Sequence, residues 1–328
     1  PKLIVSKSAV PVGTADQLER VIRTELDQRG VSHSFEMAAN PDFLREGYAM
    51  EDFLKPQRIL IGAGNERAYR ALLDVYRPLV YKEVPFVLTD TRTAEMAKYA
   101  SDAFLAMKNT FINEIANLCE AQNANVLQVA EVMGMDRRIA PGCLKPGPGF
   151  GGSVIPKDIR ALAGLGRAYK TPMRLLEATL EANAAQRKRI LEKMVCIMGG
   201  SAEGRRISVL GLSFKPEAED VWEAPAMDIV EALQERGAEL CVFDPRAMPK
   251  ARAVWEAKRI RMNYASDAYH AAEGCDALAI LTGWDSFGKL NMERVKKSMR
   301  GAYLFDFCNL YRRDAMETLG FTYEGVGV

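Results

Sequence analysis

The spacing of apolar and polar residues divides the chain into three regions. In the first 85 residues, short apolar runs at 3–5, 34–37 and 59–62 predict strands. Apolar residues at helical spacing over 14–29 and 65–76 predict helices, the first capped by Thr14. Strands that alternate with helices indicate parallel pairing in a sheet covered on both faces, although three short strands make a poor sheet alone.

From about residue 89 to 200 the pattern is helical. Residues 91–121 form one predicted helix, and 125–132 continue in short helices that Gly134 breaks. The segment 173–198 predicts one amphipathic helix, and ~26 residues would span ~39 Å. That length suits a strut between domains or a dimer interface.

Residues 205–328 form a predicted α/β unit. Strands are expected at 207–211, 240–244, 277–281 and 302–306, with a helix over 225–237. This order predicts a doubly wound sheet, whose ligands bind at the carboxyl ends of the strands. The expected domains are therefore 1–85, 86–200 and 201–328.

A glycine-rich segment, 145–158, separates the helical stretches. Its first eight residues hold four glycines and two prolines, which excludes a helix or a central strand. Clustered backbone amides favour an anionic ligand, and a long surface turn is the alternative. A helix follows, with Pro156 near its first turn and Asp158 placed to complement the helix dipole.

This loop resembles the active-site loop of the nucleotide-sugar 6-dehydrogenases, the UDP-glucose and GDP-mannose dehydrogenase family. The family pattern is Gly-Phe-Gly-Gly-Ser-Cys-x-Pro-Lys-Asp. Residues 40–47 and 56–62 carry two further family markers, and the resemblance covers essentially the whole chain. It implies an α/β fold with a remnant of an N-terminal Rossmann domain, a helical central domain with a long dimerisation helix, and a C-terminal Rossmann-like nucleotide-sugar-binding domain.

The resemblance also implies a chemistry. The family oxidises a primary alcohol to an aldehyde and then to an acid, giving hydride to NAD in both steps. Its Cys adds to the aldehyde, and the resulting thioester is hydrolysed. On the matching positions, the implied catalytic residues are Lys98, Asp158, Asp42 and Asp102. The implied cofactor contacts are Glu46 and Lys157. The implied substrate contacts are Arg138, Lys145, Gly149, Phe150, Gly151, Gly152 and Lys215.

Six positions depart from the family pattern. Val154 stands where the family has its nucleophilic Cys, and an isopropyl group forms no covalent adduct. Asp102 replaces an Asn four residues after Lys98, which predicts a pair one helical turn apart. The other replacements are Ala9 for Thr, Asp42 for Glu, Trp222 for Arg and Cys308 for Arg. Cys143, eleven residues upstream of Val154, is an alternative nucleophile, although a packing role is favoured.

The start of the chain also differs from the family. In the family a Gly-x-Gly-x-x-Gly fingerprint lies about a hundred residues before the segment that here occupies residues 7–14. The resemblance therefore implies an amino-terminally truncated member, in which NAD, the family's cofactor, is a doubtful ligand.

Composition limits the partners. With 44 basic and 43 acidic residues and a net charge of +1, bulk charge predicts no nucleic-acid partner. No apolar run reaches the ~18 residues of a membrane span. The six scattered cysteines and two histidines indicate a reduced, cytoplasmic protein without a metal site. Gly211 with Asp244 is a weak dinucleotide signal, and Lys215 favours the nucleotide of a sugar donor instead.

Three functions remain open from the sequence. The first is a homologue that binds a UDP- or GDP-linked sugar and forms a homodimer through 173–198, but does not complete the oxidation. The second is an active NAD-dependent enzyme with altered chemistry, such as oxidation only to the aldehyde. The third is a non-catalytic dimer partner of an active paralogue.

Overall fold

The computed structural model describes residues 2–80 and 84–328. The chain divides into two compact units. Unit 1 comprises residues 1–104 and 157–173, and unit 2 comprises residues 105–156 and 174–328. The predicted division at residues 85 and 200 stays a prediction.

Unit 1 is built on a small sheet. Its elements are β1 (Lys2–Ser6), α1 (Thr14–Gln28), β2 (Phe35–Ala39), α2 (Ala49–Leu54), β3 (Ile59–Ala63), α3 (Glu66–Val75), α4 (Arg77–Val80) and β4 (Phe86–Thr89). Helices α5 (Thr91–Gln122) and α7 (Ile155–Ala168) each contribute one part to unit 1 and one to unit 2.

The pairing of β2 with β3 corrects the sequence prediction. Among the described residues the sheet has the order β1-β2-β3-β4, and β2 runs antiparallel to β3. A parallel pair needs a crossover that covers the sheet, whereas α2 in this connection is six residues long and buries none of them. Strand β4, which the sequence pattern did not reveal, pairs in parallel with β3.

Two helix boundaries also differ from prediction. Gly13, in the left-handed region at φ 92°, is the cap of α1, and the Thr14 hydroxyl donates to the Pro11 carbonyl at 2.5 Å. Gly134 does not break its helix, because α6 (Val126–Met135) continues through it. A Cβ there would lie 3.1 Å from Pro141, so close packing explains this glycine.

Unit 2 contains the long helices and the second sheet. Its remaining elements are α8 (Arg174–Ile197), β5 (Arg206–Leu210), α9 (Pro225–Glu235), β6 (Glu239–Phe243), α10 (Met248–Ala257), β7 (Asn263–Tyr264), α11 (Ala268–Ala272), β8 (Ala277–Ile280), a 3-10 turn (Phe287–Lys289), α12 (Met292–Ser298), β9 (Tyr303–Asp306), α13 (Arg313–Thr318) and β10 (Thr322–Glu324). The predicted strands correspond to β5, β6, β8 and β9, and the predicted long helix to α8.

The described strands of unit 2 lie in the order β10-β9-β8-β5-β6-β7, all in parallel. Apolar clusters cover both faces, as a parallel sheet requires. The chain reverses its direction of travel across the sheet between β5 and β8, so the carboxyl ends of these two strands flank the switch point where such folds bind ligands. No helix in the described part of the chain is long and apolar enough to cross a membrane.

Candidate functional site

Polar side chains from two long helices hold the glycine-rich loop in unit 2. Asn183 on α8 accepts a hydrogen bond from the Phe150 amide at 2.9 Å and donates to the Phe150 carbonyl at 3.0 Å. Gln186 donates to the Gly147 carbonyl at 3.0 Å, and Asn113 on α5 accepts from the Gly147 amide at 2.8 Å. Sequence reasoning missed these residues, although a buried polar side chain within an apolar helix face could have indicated them.

Close contacts with other atoms of the protein explain why three positions of the loop are glycines. A Cβ on Gly151 would lie 2.2 Å from the Glu223 carbonyl oxygen, and one on Gly152 would lie 2.9 Å from the Phe214 ring. Gly149, at φ 114°, would meet the Asn183 side chain at 2.5 Å. The loop is therefore a packed element rather than a surface turn, and its glycines permit close approach to one backbone carbonyl and two side chains.

The same loop is bonded to the 220–224 segment. Asp220 accepts from the Ser153 amide at 3.2 Å and from the Trp222 amide at 2.9 Å. The Trp222 carbonyl accepts from the Gly152 amide at 2.9 Å. Trp222 is 64 % exposed, and Val154 at the end of the loop is 44 % exposed. An apolar surface thus stands at the two positions where the resemblance expects an Arg and a Cys.

The three charged side chains among the predicted substrate contacts lie on different segments of unit 2. Arg138 is highly exposed and pairs with Asp136 at 2.6 Å, while Lys145 is exposed and its carbonyl accepts from Asn109. Lys215 lies on the loop after β5, with its ammonium 5.5 Å from the centre of the Phe214 ring. Because Phe214 also contacts Gly152, the structure brings the loop of Lys215 beside the glycine-rich loop.

A buried charged group lies in unit 1. The Lys98 ammonium is 3.2 Å from Oδ1 of Asp102 and 3.0 Å from Oδ2, which confirms the predicted pairing. Both side chains are buried, at 7 % and 9 % exposure. Asp158, in the first turn of α7, is fully buried. Three of the predicted catalytic residues are therefore neighbours.

Asp158 has an unusual environment for a carboxyl group. Burial raises its pKa to about 6; Lys157 opposes this rise, and Asp102 adds to it. The half-exposed Lys157 ammonium lies 3.4 Å from Oδ1 of Asp158. An acid that exchanges a proton near neutral pH is suited to general acid or base catalysis.

The 40–48 loop flanks this group. The Lys98 ammonium is 5.3 Å from the centre of the Phe43 ring, and Asp42 accepts from the Leu44 amide at 3.2 Å. Burial lowers the pKa of Lys7, with Asp42 opposing and Lys98 reinforcing that effect. Glu46 is partly exposed on the same loop. Its predicted cofactor role and that of Lys157 stay predictions.

Asp244 does not act as a ribose ligand in this fold. Its Oδ2 accepts from the amides of Leu212 and Ser213 and from the indole of Trp284, and its Oδ1 accepts from the amides of Arg246 and Ala247. A carboxylate with these donors is fully used within the protein. This agrees with the preference for a nucleotide sugar over a dinucleotide at the second sheet.

The thiol at Cys308 is unavailable for chemistry. Cys308 is buried, and burial raises the pKa of its thiol. Its Cβ packs so closely against Gly283 that a Cβ added to that glycine would lie 3.2 Å away. Within the described residues, no group of three or more His, Cys, Asp or Glu side chains could hold a metal ion.

Three family models match the chain. The NAD binding domain of the UDP-glucose/GDP-mannose dehydrogenase family matches residues 1–80, the central domain matches 92–185, and the UDP binding domain matches 208–313. The chain belongs to this family. The predicted α/β fold, with a Rossmann-type N-terminal domain, a helical centre and a C-terminal UDP-binding domain, is confirmed.

Relatives extend over nearly all of the chain. It is 44 % identical to a UDP-glucose 6-dehydrogenase of Rhizobium meliloti over 99 % of its own length and 73 % of the relative's. It is 40 % identical to UDP-glucose 6-dehydrogenase TuaD of Bacillus subtilis, over 99 % and 68 %. A UDP-glucose dehydrogenase structure from Pyrobaculum islandicum superposes with a TM-score of 0.86 at 38 % identity, covering 99 % of this chain and 70 % of that one.

The match over residues 1–80 supports NAD as the cofactor and gives no support to the expected amino-terminal truncation. A dinucleotide diphosphate is usually held by free amides at a helix start. In residues 2–80, the start of α1 is occupied by Glu95, which accepts from the amides of Gly13 and Ala15, and the start of α3 by Asn65, which accepts from Ala68. Neither helix start fits a diphosphate as it stands.

Proposed function

We propose that the chain is a nucleotide-sugar 6-dehydrogenase homologue that binds a UDP- or GDP-linked sugar without completing the oxidation to the acid. Val154 carries this proposal. The second oxidation in the family requires a thiol that adds to the aldehyde carbon, and a valine side chain has no nucleophilic atom.

The sugar site is proposed at the carboxyl edge of the second sheet. Lys215 supplies a cation on the loop after β5, beside the switch point between β5 and β8. Residues 149–152 adjoin that loop through the Phe214 ring. The nucleotide would bind along Lys215, and the sugar would extend toward the exposed Val154.

Four of the six native thiols offer poor substitutes for the missing nucleophile. Cys119, Cys275 and Cys308 are buried. Cys143 is exposed as a residue. Partial burial of its thiol nevertheless raises the pKa of that thiol, which lowers the fraction present as the reactive thiolate. These environments favour packing roles.

Asp102 adds a second reason for altered chemistry. In the family, a Lys and an Asn stabilise the developing oxyanion, whereas here a carboxylate neutralises Lys98 at 3.0–3.2 Å. A cation that is already paired is a weaker partner for a second anion. The first oxidation should therefore also be slower than in relatives that have the Asn.

Calorimetric titration with UDP-glucose and with GDP-mannose tests the binding part of the proposal. One of them should bind, and Lys215→Ala should weaken it by about tenfold or more, since a lost charged contact costs about 1.5–3 kcal/mol. Lys297→Ala, at an exposed position on α12 of the same unit, is the matched control. If neither sugar binds, the proposed site is wrong.

Product analysis tests the catalytic part. With NAD and the bound sugar, we expect no nucleotide-linked uronic acid. Detection of that acid would overturn the proposal, whatever the binding result.

An enzyme that stops at the aldehyde is the second candidate, and the buried Lys98–Asp102–Asp158 group favours it. Removal of a hydroxyl proton needs a base and no thiol, and a carboxyl whose pKa is raised to about 6 is such a base. This candidate predicts one NADH per sugar, with the aldehyde trapped by hydroxylamine. Absence of NAD reduction would rule it out.

A homodimer through α8 is proposed as the assembly. Leu175 on α8 and the apolar side chains of Phe111 and Leu118 on α5 are exposed within unit 2. Light scattering should give twice the mass of the 36.4 kDa chain. Stable co-purification with a catalytically active paralogue, in place of a homodimer, would favour the non-catalytic partner role instead.

A further inference from the structure

Asp102 and Asp158 are two carboxyl groups enclosed together inside unit 1. Asp158 has 0 % exposure and Asp102 has 6 %. Asp102 raises the pKa of the Asp158 carboxyl through its charge and a side-chain hydrogen bond, and both carboxyls raise the pKa of the neighbouring Tyr99 hydroxyl. The two residues come from different helices, α5 and α7.

Most oxygens of this pair lack a hydrogen-bond donor. Among the described residues, none donates to Oδ2 of Asp102 or to either oxygen of Asp158. The contacts that these oxygens do have are ionic: the Lys98 ammonium lies 3.0 Å from Oδ2 of Asp102, and the Lys157 ammonium lies 3.4 Å from Oδ1 of Asp158. A buried acceptor left without a donor is costly.

We propose that Asp102 and Asp158 form one proton-binding unit, in which a single proton is held between their neighbouring oxygens. An ionised carboxylate only accepts hydrogen bonds, whereas a protonated carboxyl also donates one. A shared proton therefore provides a hydrogen bond between two of these three oxygens and removes the repulsion between two buried negative charges. The unit depends on the carboxylate at position 102, so an Asn there would not form it.

Some neighbouring groups favour proton uptake by the pair of carboxyls, and others oppose it. The charged or titratable groups near the pair or near Lys98 are Lys7, Asp42, Glu95, Lys98, Tyr99 and Lys157. Lys98 is engaged by Asp102, and Lys157 is half exposed, so solvent screens its opposition to proton uptake.

The proposal predicts the direction in which the stability of the folded protein changes with pH. The folded protein holds a proton that an unfolded Asp, with an ordinary pKa of 3.8, has already released. The resulting stability is complete below about pH 3.8 and is lost as the pH rises through about 6. Stability should therefore fall with rising pH across that interval.

Infrared titration of the intact chain tests the shared proton directly. In the wild-type spectrum minus that of Asp158→Asn, which cancels Asp306 and the ordinary glutamates, a protonated-carboxyl band should be present at about pH 5 and absent at about pH 8. Asp102→Asn, measured against the Asp102→Asn/Asp158→Asn double variant, should shift the midpoint of this band down by at least about one pH unit, a tenfold loss of proton affinity. Asp74→Asn, an exposed carboxylate in unit 1, should leave it unchanged.

Two results would overturn the inference. An unchanged midpoint in Asp102→Asn would assign the proton to Asp158 alone. Absence of the band from the wild-type-minus-Asp158→Asn difference spectrum at about pH 5 would remove the shared proton. Neither readout depends on nucleotide-sugar binding or turnover, so failure of the proposed function would leave the test intact.

Discussion

Lys98 and Asp102 form an ion pair one turn apart on the same helix, with both charged groups buried. A buried pair is expensive to break, because removal of one partner leaves the other charge unpaired. This relationship governs the first prediction.

Lys98→Met should destabilise the protein by about 3 kcal/mol or more, since it leaves the Asp102 carboxylate buried without its cation. Urea unfolding measures the change. Lys98→Met combined with Asp102→Leu should recover most of the loss. Arg70→Met, which removes an exposed ion pair with Glu66, should change stability by less than about 0.5 kcal/mol. A single-variant loss as small as that of Arg70→Met would contradict the buried-pair assignment.

Glu120 predicts a pH-dependent loss. Burial acts to raise its pKa, but hydrogen bonds from Lys193 at 2.8 Å and from the Gly327 amide at 2.9 Å hold it below its ordinary value. Glu120→Gln should cost about 1.5–3 kcal/mol at neutral pH. The difference from wild type should shrink as the pH falls below 4.5, because the unfolded chain then takes up a proton that the folded Glu120 binds only at lower pH.

Urea unfolding at several pH values checks this, with Glu181→Gln on the exposed side of α8 as the control. If the difference in unfolding free energy between wild type and Glu120→Gln stays constant down to about pH 3, the charge of Glu120 is not the stabilising feature.

Gly151→Ala should destabilise unit 2 by about 1–3 kcal/mol, because the new methyl would meet the Glu223 carbonyl at 2.2 Å. It should also weaken nucleotide-sugar binding by displacing the loop. Gly142→Ala is the matched control, since a Cβ there meets nothing within 4 Å. Equal melting temperatures for the two variants would show that the loop yields easily.

Val154→Cys places a thiol where we propose that the sugar ends. The exposed position predicts ready alkylation by iodoacetamide, and UDP-glucose or GDP-mannose should slow that alkylation if the sugar lies beside it. The matched control is Val132→Cys on α6, where alkylation should be indifferent to the sugar. Mass spectrometry separates the new site from Cys143. Unprotected alkylation at saturating sugar would place the binding site elsewhere.

Local periodicity predicted most elements of the fold. The helices around residues 91–122 and 174–197 and the strands β5, β6, β8 and β9 follow patterns that short windows contain. The sequence pattern did not predict the antiparallel pairing of β2 with β3, because strand direction depends on the path of the segment that connects the two strands. The edge strands β7 and β10 are two and three residues long, too short for a periodic signal.

Within the site, the sequence predicted the Lys98–Asp102 pair, because its spacing is local. It could not predict that Asp158 would be fully buried beside Asp102, since burial depends on packing between helices distant in sequence. The glycines were interpreted as room for a ligand, whereas Glu223, Phe214 and Asn183 occupy the space beside three of them.

Asp244 has a consequence for ligand association. Its carboxylate joins residues that follow three different strands: Leu212 and Ser213 after β5, Arg246 after β6, and Trp284 after β8. The rim of the second sheet is thus assembled before a ligand arrives. A nucleotide sugar that docks there should need little loop ordering, which favours rapid capture and a small entropic penalty on binding.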